Sequence, residues 1–188
     1  MKSLAFALLL LLLAGAASAE DRFGSSGTIS PSGSIGFTYL ASGGSSDYFA
    51  SLDPGAMVFV VDGLAVGGSL DLSYASGPSS FGYGGGPSVG WNLWLGDRFS
   101  LFPQASLHAV WVTHSFGGGT ARLITAQAFA PVLFHVVPHF FLGAGPAVFR
   151  ELDSTNRTGI LTSGGTFVFV STPLLTTVGL QSVIGGWF

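Results

Sequence analysis

Between residues 64 and 74 the side chains alternate with a period of two. Leu64, Val66, Leu70, Leu72 and Tyr74 fall on one face, and Ala65, Gly67, Ser69, Asp71 and Ser73 fall on the other. A helix would group apolar positions three and four apart, so this spacing predicts an extended strand with one apolar and one small or polar face. The pattern recurs in "SVGWNLWL", where Val89, Trp91, Leu93 and Leu95 oppose Ser88, Gly90, Asn92 and Trp94. In "SLFPQASLHAVW" Leu101, Pro103, Ala105, Leu107, Ala109 and Trp111 oppose Phe102, Gln104, Ser106, His108 and Val110. "SIGFTYL" repeats it with Ile35, Phe37 and Tyr39.

Two kinds of connection separate these runs. Short ones, "DG" at 62–63, "GDR" at 96–98 and "VPH" at 137–139, have the Gly, Pro and Asp chemistry of tight turns. Longer stretches rich in Gly and Ser, "ASGGSSDYFASLDPG", "SGPSSFGYGGG", "HSFGGGT" and "LDSTNRTG", alternate with them and are expected to be loops. Strands are therefore expected near 33–41, 55–61, 64–75, 86–95, 98–113, 121–136, 139–150 and 175–188. One segment, "ILTSGGTFVFVSTP" at 160–173, reads as a further hairpin. Taken as an extension of the last long loop it leaves eight strands. Ten strands are possible if it pairs with "GTIS" at 27–30.

Composition decides what such strands can build. The chain is 48% hydrophobic and 8% charged, with 29 glycines, against about 25% charged residues in ordinary soluble domains. The most apolar stretch after the amino terminus, residues 129–149, is interrupted by Pro131, Pro138 and Pro146, each of which would break a helix. In lipid only helices and closed barrels satisfy every backbone group. The expected fold is thus all-β: a closed antiparallel transmembrane β-barrel in which short periplasmic turns alternate with longer outer loops. "MKSLAFALLLLLLAGAASAE" carries Lys2, an apolar run from Leu4 to Leu13, and Ala17 and Ala19 before Glu20. That is the anatomy of a secretory signal peptide cleaved after Ala19, leaving residues 20–188 as the barrel domain.

At the other end, "SVIGGWF" places Phe188, Gly186, Ile184, Ser182, Leu180 and Val178 on one face, and Trp187, Gly185, Val183, Gln181 and Thr177 on the other. A final strand ending on Phe resembles the carboxy-terminal signal of Gram-negative outer-membrane proteins. It differs from the usual pattern in having Gly186 and Val183 where that family has an aromatic and a Gly. The whole of 20–188 resembles the small eight-stranded outer-membrane barrels of the OmpA-domain and OmpX-like class. The resemblance implies an outer-membrane location, Trp187 and Phe188 as a signal read by the barrel-assembly machinery, and outer-membrane lipid and lipopolysaccharide as surroundings.

Chemistry is sparse. With no cysteine there is no disulfide, thiolate metal site or thiol nucleophile. Five arginines against nine acids beyond the signal, with no lysine there, speak against nucleic acid as a partner. Asp71, Asn92, Gln104, His108, Gln127 and Gln181 fall on the inward faces and are expected as hydrogen-bonded lumenal groups. Arg122, Arg150 and Arg157 fall near the outer rim, where they could bridge lipopolysaccharide phosphates. His135 and His139 flank a turn with no nearby carboxylate and are expected to mark the membrane interface rather than a metal site. Ser106, His108 and Glu151 supply the residue types of lipid A deacylases, but in the order "SLH" where those enzymes have H-x-S. Eight strands enclose a lumen just wide enough for side chains, whereas aqueous channels belong to barrels of about 16 strands. The expectation is a monomeric, non-enzymatic barrel without cofactor, its role structural or in surface interaction; a lipid-modifying enzyme and a narrow pore are the alternatives.

Overall fold

The computed structural model describes residues 22–42, 45–76, 80–114, 120–155, 160–163, 166–169 and 176–188. They form a closed barrel of eight antiparallel strands. β1 (Ile29–Ser42), β2 (Ser45–Val61) and β3 (Leu64–Ala75) follow one another as hairpins. β4 comprises Ser80–Trp91 and its continuation Leu93–Trp94; β5 comprises Phe99–Leu101 and Gln104–His114; β6 comprises Thr120–Phe129 and Val132–Val137. β7 (Phe140–Thr155) and β8 (Thr176–Gly186) complete the wall. β8 pairs with β7 from Phe140↔Gly186 to Arg150↔Thr176 and with β1 at Ser32↔Gly185 and Gly33↔Ile184. Reciprocal bonds of 3.0 Å between Ile29 and Phe188 extend that seam. No strand of the barrel is left as an unpaired edge, the feature that otherwise invites aggregation.

Side chains sort by face as the alternation requires. On β3, Leu70 is 59% exposed on the outer surface while its neighbour Asp71 is 4% exposed inside. The same inversion runs round the wall, with Ile35, Phe37, Leu107, Val178 and Leu180 all outward and exposed. Burial here means facing the lumen, because a barrel has no second layer to cover its outside.

Three stretches read as loops from sequence are strand, the shortest being residues 152–155 of β7, which pair with β6 from Asp153↔Ile124 to Thr155↔Arg122. Ser45–Gly55 pairs with β1 along its whole length, from Ser42↔Ser45 to Ser32↔Gly55, and Ser80–Gly86 pairs with β3 from Ala75↔Ser80 to Ser69↔Gly86. Gly, Ser and Pro in these segments disguise them. Pro54 and Pro87 cannot donate to a ladder, and on those sides the register skips them: Leu52↔Leu72 is followed by Gly55↔Ser69, and Gly85↔Ala109 by Ser88↔Ser106. Pro103 and Pro131 interrupt β5 and β6, yet both still accept bonds across the break, from Trp91 N at 2.9 Å and Phe102 N at 3.0 Å. Ile160–Ser163 and Thr166–Phe169 form a separate two-stranded hairpin, and Ile29 and Ser30 belong to β1. The ten-stranded alternative is therefore excluded.

Candidate functional site

The turns at 62–63, 95–98 and 138–139 and both described termini lie at one end of the barrel, the turn end; the opposite strand ends, at Ser42 and Ser45, Ala75 and Ser80, His114 and Thr120, and Thr155 and Thr176, define the other, the loop end. The lumen differs sharply between them. At the turn end Phe59, Phe102, Phe141 and Trp187, with the aliphatic Leu133, form a hydrophobic cluster around Phe23. Further along, a polar cavity of about 80 Å³ is bordered by Asp53, Ser69, Asp71, Gln104, His108 and Gln127, among others. At roughly 10–15 Å³ per water this is room for a handful of water molecules.

One network crosses the cavity wall. His108 Nδ1 lies 2.7 Å from Asp71 Oδ2, and its Nε2 lies 3.4 Å from Ser69 Oγ. Asp71 and Ser69 are on β3 and His108 is on β5, so the imidazole must reach across β4. It can do so because β4 presents Gly82, Gly84 and Gly86 inward. A Cβ on Gly86 would overlap the Leu107 carbonyl oxygen, so only glycine allows β4 and β5 to approach there. On the opposite wall Gln127 Nε2 donates to Gln181 Oε1 at 2.7 Å, and Ser34 Oγ donates to Asp53 Oδ2 at 2.8 Å.

The structure places Asp71, Asn92, Gln104, His108, Gln127 and Gln181 all on the inner wall. Asn92 is the exception in company: it lies at the turn end, where its Nδ2 donates to the Phe23 carbonyl at 3.0 Å. His135 is not at the membrane interface. It is buried in the turn-end cluster, stacked on Trp94 at 4.6 Å, with its Nε2 2.9 Å from Ser100 Oγ. The two positions flank the turn in sequence but only His139, whose Nδ1 meets the Trp187 carbonyl at 3.0 Å, is at the turn itself. Alternation would have found this, because His135 shares parity with the inward residues Phe129, Pro131 and Leu133.

Ser106, His108 and Glu151 are not brought together as a catalytic set. His108 is held by Asp71 and Ser69. Glu151 pairs with Thr125, which pairs with His108, so the carboxylate is two strand spacings of about 4.8 Å away. Among the described residues no group of three or more His, Asp or Glu side chains could hold a metal ion.

On the outer surface toward the loop end, aromatics form a row. Tyr48 packs on Tyr74 at 5.8 Å, and Phe81, Tyr83 and Trp111 stack in succession at 6.1 Å. The row ends where Trp111 meets Arg122 in register across β5 and β6. Arg122 faces outward and its Nη2 lies 3.2 Å from Asp153 Oδ2. Arg150 also faces outward, opposite Ala126 and Thr176. Arg157 lies outside the described residues. Trp187 turns into the lumen at 6% exposure, and Phe188 faces out at 39%.

Comparison with known proteins adds the fold's relatives. No protein-family model matches the chain, and no curated protein matches it. Among solved structures it is similar to Neisserial surface protein A. The likeness covers 88% of this chain and 99% of that one, with a TM-score of 0.51 and 14% identity. At that identity the shared property is the eight-stranded barrel.

Proposed function

We propose that the protein is a non-enzymatic outer-membrane barrel whose role is structural or in surface interaction, made through its loop end. The observation that carries this reading is the inverted surface: exposed Leu, Ile, Val and Phe outside, and Ser, Asp, His and Gln inside a wall with no open edge. β3 has 12 residues; at about 3.3 Å per residue and a tilt near 40° it rises about 30 Å, enough for an apolar band of about 25 Å. Among the described residues no helix is long and apolar enough to cross a membrane, so strands are the crossing elements. The aromatic row then sits at the outer interface, where Tyr and Trp are favoured, and the turn end faces the periplasm. Neisserial surface protein A, by its name a surface protein, shares the fold, which is in keeping with a role at the cell surface.

In this reading the amino-terminal segment is removed after Ala19, and Trp187 and Phe188 are the signal for the barrel-assembly machinery. Where the aromatic row gives way to Arg122 and Arg150, cations at the interface meet the phosphates of lipopolysaccharide, a charge-assisted contact; Arg157 is assigned to the same role from the sequence alone. The protein works as a monomer without cofactor. The test is cell fractionation with gel mobility measured before and after heating. Recovery in the outer membrane with heat-modifiable mobility is expected, and recovery as a soluble periplasmic protein would overturn the reading. Lipopolysaccharide retained on the purified barrel is expected to fall severalfold in an Arg122→Ala, Arg150→Ala double variant.

A further inference from the structure

The lumen at the turn end is filled by a residue that belongs to no strand. Phe23 precedes β1, yet it is completely buried. Its ring centre lies 5.0 Å from Phe59, 5.3 Å from Phe102, 5.2 Å from Phe141, 5.4 Å from His135 and 5.5 Å from Trp187. Those five partners come from β2, β5, β6, β7 and the end of β8, so the ring occupies the barrel axis rather than one wall.

The backbone around it is fastened just as closely. The Phe23 carbonyl accepts from Asn92 Nδ2 and from Trp94 Nε1, both at 3.0 Å. Gly24 O accepts from Gly63 N at 2.7 Å, Gly27 N donates to Phe59 O at 2.7 Å, and Ser26 N donates to Asp62 Oδ1 at 2.9 Å. Arg22 lies over the Trp94 ring at 5.8 Å. Gly24 takes a φ of 101°, and a Cβ there would press on the Asn92 side chain. The segment thus folds back under the barrel through a turn that only glycine makes easily, and polar groups of the wall that would otherwise be buried unpaired are spent on it.

We propose that Arg22–Thr28 is a built-in plug that seals the turn-end mouth of the lumen, so that, in the orientation proposed above on which this inference rests, the polar cavity around Ser69, Asp71 and His108 has no route to the periplasm. Strand number alone does not close this end. The inward side chains of the wall leave an axial gap, and the plug fills it with one aromatic ring. Small polar solutes reach the cavity from the turn end only when the plug is withdrawn.

The chain has no cysteine, so single introduced thiols report access cleanly. Ser100, fully buried and bonded to His135, whose ring packs on Phe23, is replaced by Cys; Ser26→Cys, at an exposed position of the plug, is the accessible control. Folded protein in detergent is treated with a small cationic methanethiosulfonate. With the amino terminus unaltered, Ser100→Cys is expected to react at least a hundredfold more slowly than Ser26→Cys. Deletion of residues 20–24, or Gly24→Val, which leaves every strand intact, is expected to raise the Ser100→Cys rate at least tenfold in the fraction that keeps heat-modifiable mobility. Equal reactivity of the two thiols in the unaltered chain overturns the proposal, whether or not the variants fold. Unchanged protection in a folded variant without the plug overturns it as well.

Discussion

At the scale of single residues, the account rests on which face each side chain occupies. Leu70 faces out near the middle of β3, so Leu70→Arg would place a charge near the membrane midplane at about 2–4 kcal/mol. Asp71, one residue on, faces the cavity and His108. Asp71→Ala removes a buried partner and is expected to cost about 1–3 kcal/mol, with insertion preserved. Refolding yield into lipid vesicles and urea unfolding of the folded product separate the two. Equal loss of insertion would mean that the register is displaced by one residue, since a slip of one exchanges the faces. The series Asp71, His108, Ser69 has the order of a proton relay, but its hydroxyl sits in a cavity of a few waters rather than beside a substrate groove. Ser69 is accordingly expected to remain unlabelled by a fluorophosphonate at concentrations that saturate serine hydrolases; stoichiometric labelling lost in His108→Gln would contradict the non-enzymatic reading.

At the scale of elements, the close approach of β4 to β5 depends on Gly86, whose missing side chain admits the Leu107 carbonyl. Gly86→Val is expected to lower stability by about 1–3 kcal/mol through overpacking and to loosen the Asp71–His108 contact, seen as a shifted imidazole resonance in NMR. Here the sequence was only partly legible. Strands with strict alternation, such as β3, were readable because their two faces differ in polarity. The first halves of β4 and β2 were not, because a wall built of Gly and Ser has the composition of a loop, and its extended state is imposed by pairing with neighbours on both sides. Pro54 misled for a related reason: its missing donor falls where the ladder skips a rung, a fact of register that composition does not carry. Among site residues, the lumenal set followed from parity. Phe23 did not, because it lies outside any periodic segment and its partners are far away in sequence.

At the scale of the whole molecule, an apolar exterior, a polar cavity and an aromatic floor are consequences of one topological fact, the pairing of the last strand with the first. Without that seam, Ile29–Ser42 and Thr176–Gly186 would be open edges, and the network from Asp71 to His108 would be exposed rather than enclosed. Closure can be measured directly in a chain without cysteine. Gly33 and Ile184 oppose one another across the seam, as Ile29 and Val58 do between β1 and β2. Each pair is replaced by two cysteines, treated with a short bifunctional thiol reagent after folding, digested and weighed by mass spectrometry. The account predicts that Gly33→Cys with Ile184→Cys links the first strand to the last within one chain, as efficiently as the Ile29→Cys, Val58→Cys pair links the first to the second. A seam pair that stays unlinked, or links only between two chains while the hairpin pair links within one, would contradict the closed barrel.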